Sequence, residues 1–414
     1  MKSNLENKRK LKVVWLCHFA NEEMKAYFKV KHINEFAPWI SLSLQLFEGV
    51  DDVELHVVSP NVYTNTDAYL EKNGIHYHFY APSPSIFNNR LFRRIYSFLN
   101  MAALGEFNWI KRKVSRTIRN IHPDIVHLHG AENAYQYSSG ILPLIDEYPI
   151  LTTIQGFIRN SIDNDRITKV RKAIEAKIIK NSQHFAIRKS DEMKAITEEM
   201  HPGADLYYHN YPVGKPRRTK ENIGAFEPID FIFFARVCKE KGIEDLLIAF
   251  SEVKKSIPNA NLTVVGGVSD NYQDHLIKIC KSCGILDSVK FEGFLPTQND
   301  IYNLAYKAKV CVLPTYHDIL PGTVLESMFL KLPVIAYGVG GLPHLNEANI
   351  TIELVEVRNT KVLANRMEEL YNDSAYRLEL AERAYTHVNL TFDNNIVVRD
   401  IISAYRKVLA HKIF

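Results

Sequence analysis

Short apolar runs alternate with helix-like segments along most of the 414-residue chain. The runs are rich in β-branched residues and do not alternate apolar with polar positions, which is typical of strands covered by helices on both faces. Eight of them stand out: Lys12–Cys17, Val53–Ser59, Ile125–His129, Ile150–Ile154, Phe231–Ala235, Asn261–Gly266, Lys309–Leu313 and Pro333–Tyr337. The pattern predicts an α/β fold built on parallel sheets.

Chain length and one break in the pattern predict the domain organisation. A chain of 414 residues is longer than a single core ordinarily accommodates. The segment Tyr211–Arg218 mixes proline, glycine and cations without periodicity, which indicates a connection between domains. We predict an N-terminal Rossmann-like domain over residues 1–213, a linker over 214–228 and a C-terminal Rossmann-like domain over 229–390. Residues 391–414 are predicted to be a helix that can pack back on the N-terminal domain.

Composition and charge exclude several classes of protein. The formal net charge of +4 provides no global attraction to nucleic acid. The first twelve residues are polar and no stretch approaches the ~18 apolar residues of a membrane span, so we expect a cytoplasmic protein. Cys280 and Cys283 form a C-x-x-C pair without a second pair, and their spacing fits one face of a helix, so no metal site is predicted.

A basic loop follows the strand-like run that ends at Ala235. Arg236 and Lys241 bracket the predicted start of a helix near Ile243, where free backbone N–H groups and the helix dipole favour an anion. Two fixed cations would stabilise the negative charge of a departing nucleoside diphosphate. A solvated basic loop is the alternative interpretation of the same residues.

A second loop, after the run that ends at Pro314, carries an acid at Asp318 and leads into a helix near Gly322. The start of this helix again offers N–H groups to a phosphate, and the carboxylates of Asp318 and Glu326 are strong acceptors for ribose or sugar hydroxyls. The spacing Thr323-x-x-Glu326 also fits a capping box, in which each side chain satisfies a backbone donor of the helix. Binding and capping both remain open at this point.

The two loops together resemble the group-1, family-4 retaining glycosyltransferases of the GT-B architecture. That family carries Gly-Arg, a short spacer and Lys-Gly after a strand; here Ala235 replaces the glycine, while Arg236, Lys241 and Gly242 match. Its Glu-x7-Glu pattern corresponds here to Asp318-x7-Glu326. The connecting segments Leu262–Gly267 and Val289–Phe294, between the two loops, match as well, and so does Lys331–Pro343 after them, which contains Gly340 and Gly341.

The resemblance implies two doubly wound parallel-sheet domains that face a cleft. It implies that Arg236 and Lys241 contact the donor diphosphate together with the helix start at Gly322 and Thr323. Glu326 then binds the ribose, Asp318 lies by the donor sugar, and the N-terminal domain takes the acceptor. The implied activity is metal-independent, retaining transfer of a hexose-type unit from a nucleoside-diphosphate sugar to a hydroxyl acceptor, with no further cofactor. The range of the family suggests bacterial surface-polysaccharide assembly, with a glycan or lipid-linked acceptor.

The first half resembles the family less closely. Ile125–Gly130 matches its Val-His-x-His strand end, so His129 is a candidate catalytic residue. Gln155 stands where many members carry histidine; an amide can hydrogen-bond a hydroxyl but cannot shuttle a proton. We therefore list Gln155, His129, Asp318 and Glu326 as the catalytic candidates. The glycine-free loop after the first strand suggests acceptor contacts from side chains, including His18 and Glu35.

Residues 90–119 interleave cations with aromatic and aliphatic side chains, a composition that suits an anionic membrane surface. Peripheral contact with the inner face of the cytoplasmic membrane is one hypothesis, and an ordinary helix pair with a solvated basic face is the other. Two further functions stay open: a nucleotide-sugar epimerase or hydrolase of the same fold, and a degenerate nucleotide-sugar-binding partner subunit.

Overall fold

A computed structural model describes residues 9–32, 36–84, 105–161, 163, 165–216 and 228–411. The chain divides into two compact units. The first comprises Met1–Pro212 together with Asn394–Phe414, and the second comprises Val213–Asp393. Glu35, residues 90–104 and most of the predicted linker lie outside the described residues.

The first unit is built on an eight-stranded sheet with the order β3-β4-β2-β1-β5-β6-β7-β8. All neighbouring strands are parallel except β3 and β4. The strands are β1 Leu11–Leu16, β2 Val53–Pro60, β3 Ala68–Lys72, β4 Ile75–Tyr80, β5 Ile125–His129, β6 Ile150–Thr153, β7 His184–Ile187 and β8 Asp205–Tyr208. From β1 the chain adds strands first on one side and then, beginning with β5, on the other, so β1 and β5 flank the switch point at which such sheets bind ligands.

The second unit is built on a six-stranded parallel sheet with the order β11-β10-β9-β12-β13-β14. Its strands are β9 Ile229–Phe234, β10 Leu262–Val265, β11 Val289–Gly293, β12 Ala308–Leu313, β13 Val334–Tyr337 and β14 Glu353–Val355. Numbered within the unit, this is the 3-2-1-4-5-6 order of a Rossmann domain, with the switch point between β9 and β12.

Helices connect the strands and cover the sheets. The described α-helices are α1 Glu22–Tyr27, α2 Pro38–Phe47, α3 Asn108–Ile121, α4 Arg166–Asn181, α5 Asp191–Met200, α6 Ile243–Ser256, α7 Asp270–Ser282, α8 Gln298–Ala305, α9 Gly322–Phe329, α10 Thr360–Asn372, α11 Ser374–Thr391 and α12 Asn394–Ala410. Local sequence defines several starts. Asp165 accepts from the N–H groups of Ile167 and Thr168 at α4, and Thr297 and Asp300 form a capping box at α8.

Both faces of the eight-stranded sheet are buried. Neighbouring residues of a strand point to opposite faces, so each strand contributes to two separate buried clusters. Val13 and Trp15 of β1 belong to one buried cluster, which also contains Val397 and Ile401 of α12. Val14 and Leu16 belong to another, together with Ile118 of α3. These continuous apolar strands explain why the sequence showed runs without alternation. The predicted fold class, two doubly wound Rossmann-like domains, is confirmed.

Helix α12 joins the core of the first unit through a buried hydrogen-bonded chain. The hydroxyl of Tyr405 accepts from Trp15 Nε1 at 2.7 Å and lies 2.7 Å from His127 Nδ1. The other ring nitrogen of His127, Nε2, lies 2.6 Å from Thr153 Oγ1, so each hydroxyl faces one nitrogen of the imidazole. His127 is thus a core histidine with both ring nitrogens hydrogen-bonded.

Helix α3 holds the described part of the basic and aromatic stretch. Phe107 and Ile110 are buried in the core, so they are not exposed to a membrane surface. Lys111, Lys113 and Arg119 form ion pairs with Glu106, Asp67 and Glu147, at 3.1, 2.6 and 2.6 Å respectively. Arg112 and Arg116 remain as exposed cations. Among the described residues, no helix combines the length and apolar composition needed to cross a membrane.

Tyr405→Phe is expected to lower the free energy of unfolding by about 1–3 kcal/mol, because Trp15 Nε1 and His127 Nδ1 both lose their buried partner. Urea unfolding followed by fluorescence measures the change. Tyr208→Phe, at a half-exposed tyrosine of β8 in the same unit, is the control. Equal losses of unfolding free energy in the two variants would show that the buried hydrogen bonds of Tyr405 contribute nothing specific to stability.

Candidate active site

The principal candidate site lies at the switch point of the second unit, where β9 and β12 end side by side. Arg236 and Lys241 follow β9, and Asp318 and Gly322 follow β12. Parallel sheets place the loops after neighbouring strands at one edge, so the topology collects both sequence motifs at the point where such sheets bind ligands.

Backbone contacts fix the two loops to each other. Tyr316 N donates to Glu240 O at 2.9 Å, and Thr315 Oγ1 donates to the same carbonyl at 3.2 Å. Gly242 has φ +72°, and a Cβ at this position would lie 1.8 Å from the carbonyl oxygen of Pro314. Only glycine permits this approach, which explains the Lys-Gly sequence immediately before α6.

The two predicted cations have different surroundings. Lys241 Nζ forms an ion pair with the Asp318 carboxylate, and both side chains are about one-fifth exposed. Arg236 is exposed and pairs with no acid in the described part of the chain. The loop pair therefore presents one cation that is held by an acid and one that forms no ion pair among the described residues, at the same edge of the sheet, which leaves the Arg236 guanidinium available to an anionic ligand.

Helix α9 starts beside these loops with free N–H groups. Its N-cap is Pro321, which provides no side-chain cap. Thr323 Oγ1 instead donates to Phe234 O at 2.7 Å and ties the helix to the end of β9. The capping-box interpretation of Thr323 and Glu326 is therefore wrong, and Thr323 can offer its backbone N–H, not its hydroxyl, to an anion.

Glu326 is held by groups that the sequence motif does not contain. Gln298 Nε2 donates to Glu326 Oε2 at 3.0 Å, and the Tyr302 hydroxyl also hydrogen-bonds the carboxylate. Burial raises the pKa of Glu326 to about 7, and these two hydrogen bonds oppose the rise. The carboxylate is thus oriented on a rigid helix and keeps capacity to accept further hydrogen bonds.

The glycine pair after β13 supports the Asp318 loop. Gly340 has φ +56°, and a Cβ there would lie 1.9 Å from the Asp318 carbonyl oxygen. Gly341 N donates to Ile319 O at 2.6 Å. A Gly-Gly pair by itself indicates only a turn in the sequence. In the structure, the pair packs against the backbone that carries Asp318.

Three further residues of this edge were not predicted as site residues from the sequence. Gln298 and Tyr302 come from α8, whose sequence gives no sign that they reach Glu326 across the sheet edge. Phe294 directly follows β11 and is 77% exposed. Its position directly after a strand, at the edge where parallel sheets bind ligands, was the signal that the sequence offered for Phe294.

The first unit has its own candidate edge, at the ends of β1, β5 and β6. His18 follows β1, His129 ends β5, and Gln155 follows β6. Neither ring nitrogen of His129 has a partner among the described residues, and the ring is 1% exposed. Burial lowers the pKa of His129 to about 3, so the imidazole is neutral at pH 7. Burial also lowers the pKa of His18 to about 4.

Glu132, three residues after β5, is the acid of this edge, and the sequence analysis missed it. Burial raises its pKa to about 7, assisted by the negative charge of Glu175. Its Oε2 is buried without a hydrogen-bond partner in the described structure, as are Gln155 Nε2 and His18 Nδ1. Each buried polar atom left unpaired costs roughly 1–3 kcal/mol, so a polar ligand would relieve a cost already present at this edge.

Comparisons with known proteins concern the family and the fold. Residues 217–387 match the sequence profile described as "Glycosyl transferases group 1". The chain is 24% identical over 264 residues to the D-inositol 3-phosphate glycosyltransferase of Corynebacterium aurimucosum, an alignment that covers 59% of this chain and 62% of that protein. The chain therefore spans less than two thirds of this relative.

Two solved structures share the fold over almost the entire chain. Sucrose-phosphate synthase from Thermosynechococcus elongatus gives a TM-score of 0.68 at 17% identity, over 97% of this chain and 100% of that one. Anabaena Alr3699/HepE, solved in complex with UDP-glucose, gives 0.64 at 13% identity, over 97% and 99%. At these identities the likeness concerns the fold, and it agrees with the predicted GT-B class.

Gly340→Ala is expected to destabilise the second unit more than Gly284→Ala. Both glycines have left-handed backbones, for which alanine costs about 1–2 kcal/mol, but a Cβ at Gly284 meets nothing within 4 Å. The additional loss in Gly340→Ala measures the close approach to Asp318. Urea unfolding of the two variants gives the difference, and identical free energies would contradict a supporting role for Gly340.

Proposed function

We propose, from the premise that residues 217–387 form a group 1 glycosyl transferase domain, that the protein transfers a hexose-type unit from a nucleoside-diphosphate sugar to a hydroxyl acceptor. We further propose that the transfer retains the anomeric configuration and needs no metal ion. One observation carries the proposal. Arg236, the Lys241–Asp318 pair and the uncapped start of α9 converge at one switch point, and Glu326 projects from the same helix.

The donor diphosphate fits the charges of this edge. The exposed Arg236 guanidinium can contact phosphate oxygens in bidentate fashion, and Gly322 and Thr323 supply backbone N–H groups at the positive end of α9. Asp318 orients Lys241 and leaves carboxylate lone pairs for hydroxyls of the donor sugar. The charge that develops on the leaving phosphate is then stabilised by cations and dipoles already in place, which supports transfer without a metal ion.

The nucleoside half of the donor fits the residues around Glu326. Its carboxylate, held by Gln298 and Tyr302, can accept from both ribose hydroxyls. The exposed ring of Phe294, four residues before Gln298, offers a face on which a nucleobase can stack. Alr3699/HepE was solved with UDP-glucose, so a uridine donor is the first to test.

The acceptor side favours a mechanism without a histidine base. Gln155 cannot titrate, and burial disfavours the protonated form of His129. In a same-face transfer, the bond between the anomeric carbon and the phosphate oxygen breaks while the acceptor oxygen bonds to that carbon. The acceptor proton passes to the leaving phosphate. In this scheme Gln155 and Glu132 bind and orient the acceptor hydroxyls, satisfying atoms that otherwise lack partners.

We place the acceptor among glycans or lipid-linked glycans of surface-polysaccharide assembly, with the protein in the cytoplasm. Hydroxyl-rich acceptors suit the unpaired donors and acceptors of the first unit. Peripheral membrane contact draws support from Arg112 and Arg116, the exposed cations of α3. Co-sedimentation with anionic vesicles tests that contact.

A donor panel separates the candidate functions. The protein is incubated with UDP-, GDP- and ADP-sugars, with and without saccharide acceptors, and nucleoside diphosphate and sugar products are quantified. Acceptor-dependent release with an α-linked product from an α-linked donor supports retaining transfer. Release without acceptor indicates a hydrolase, isomerisation without release an epimerase, and tight binding without turnover a degenerate subunit.

Arg236→Gln is expected to weaken binding of the nucleoside diphosphate selected by the panel by about 10- to 100-fold, because one charge-assisted contact of about 1.5–3 kcal/mol is lost. Calorimetric titration measures the affinity. Lys239→Gln removes an exposed cation from the same loop and serves as the control for net charge. If the two variants weaken nucleoside-diphosphate binding equally, Arg236 contributes only through the net positive charge of the loop and makes no specific contact.

Glu132→Gln is expected to lower turnover about 10-fold or more while donor affinity stays unchanged. With a folded-state pKa of about 7, Glu132 gains its charge as pH rises through 7, so activity of the parent protein should rise there. The variant should lose that rise. Glu198→Gln, on an exposed glutamate of α5, is the control. An unaltered pH profile in Glu132→Gln would exclude the acceptor role.

A further inference from the structure

A second cluster of titratable side chains lies on the sheet of the first unit, towards the amino ends of β2 and β4. Glu54 and His56 alternate on β2, and His76 and His78 alternate on β4, so all four project from the same face. His56 and His76 are direct neighbours in the parallel register. The cluster is remote along the strands from the carboxyl edge that carries Glu132, and nothing in the proposed transfer reaction uses it.

The side chains of the cluster already contact one another. His56 Nε2 lies 2.9 Å from Glu54 Oε1, and His56 Nδ1 lies 3.0 Å from His78 Nε2. The rings of His56 and His76 are stacked, with centroids 4.5 Å apart. Glu54 uses the same oxygen, Oε1, to pair with Lys12 Nζ at 3.1 Å.

Three of these residues have the spacing of a metal-ligand set. One ligand atom each from Glu54, His56 and His76 can be chosen so that all three lie within 4.8 Å of one another. Tetrahedral zinc, with ligands at about 2.0–2.2 Å, holds neighbouring ligand atoms about 3.4 Å apart. Coordination of one ion therefore needs the stacked rings of His56 and His76 to rotate until their nitrogen lone pairs converge, and it shortens the distances between the ligand atoms by at most about 1.4 Å.

The surroundings also supply the outer contacts that metal-binding histidines need. If His56 binds through Nε2, its Nδ1–H donates to His78 Nε2. If His76 binds through Nε2, its Nδ1–H can donate to the Tyr69 hydroxyl at 2.9 Å. Glu71 Oε2 lies 3.7 Å from the same Nδ1. Such second contacts fix the tautomer and the ring orientation, and they ordinarily accompany a histidine ligand.

We propose that Glu54, His56 and His76 form a binding site for a late first-row divalent cation of the Zn²⁺ type, with solvent as the fourth ligand. Two imidazoles and one carboxylate are a donor set that suits Zn²⁺ and its neighbours in the first row, whereas Mg²⁺ and Ca²⁺ are bound mainly by oxygen ligands. The side chains of Glu54 and His76 are partly exposed, at 35% and 23%, and that of the buried His56 keeps 11%, so an ion can enter from solvent past Glu54 and His76. The bound ion joins β2 to β4 and stabilises this edge of the sheet.

The test uses the full chain without a histidine tag, stripped with chelator and dialysed. Zn²⁺ is titrated by calorimetry, and Co²⁺ uptake is followed by its visible d–d absorption. We expect one equivalent of tightly bound Zn²⁺, a tetrahedral Co²⁺ spectrum, and a rise in the unfolding midpoint that chelator reverses. His56→Gln and His76→Gln should each weaken Zn²⁺ binding at least 10-fold.

His122→Asn is the matched control, because His122 is an exposed histidine of the same unit outside the cluster. Its Zn²⁺ affinity should equal that of the parent protein. If His56→Gln fails to fold by circular dichroism, the more exposed His76→Gln decides. Absence of stoichiometric Zn²⁺ uptake in the parent protein, or uptake unchanged in the folded cluster variants, overturns the site.

Discussion

The candidate donor site depends on the contact between two backbones, at Gly242 and Pro314. Because Gly242 lies against the Pro314 carbonyl, the loop after β9 and the loop after β12 run side by side, and Glu240 O accepts two hydrogen bonds from the second loop. Lys241 and Asp318 are thereby held as neighbours although 77 positions separate them in the chain. The ion pair is partly exposed and adds little stability by itself. Its position is a consequence of the backbone packing.

The same edge shows why a weakly stabilising pair can still matter for function. Asp318 is supported from behind by Gly340 and Gly341, and α9 is tied to β9 through Thr323. The groups proposed to face the donor are therefore fixed by backbone contacts, which a ligand need not reorganise. Preorganised charge of this kind stabilises a developing phosphate anion more effectively than mobile surface charge, because no reorganisation accompanies the reaction.

The sequence predicts the fold well and the site in part. Buried parallel strands leave continuous apolar runs, so all eight predicted strands occur with ends that differ by at most two residues. The order of strands, and hence the meeting of Lys241 with Asp318, follows from the rules for doubly wound sheets. Side-chain partners across elements leave no local signal. For that reason Gln298 and Tyr302 were not foreseen, the capping box was a plausible but wrong interpretation of Thr323, and Glu132 was not noticed. The burial that perturbs Glu132 arises from packing between distant segments.

The two candidate edges differ in how the named polar side chains are satisfied, and this difference bears on where specificity resides. In the second unit, Glu326, Asp318 and Thr323 all have partners within the unit. At the carboxyl edge of the first unit, buried atoms of His129, Glu132 and Gln155 have none among the described residues. A site built around unpaired buried donors and acceptors rejects ligands that cannot satisfy them, since each unmet group costs roughly 1–3 kcal/mol. Under the proposed function, the donor edge thus supplies affinity for a common chemical group. The acceptor edge discriminates among hydroxyl-bearing substrates, and Gln155, where the family commonly has histidine, belongs to that discriminating edge.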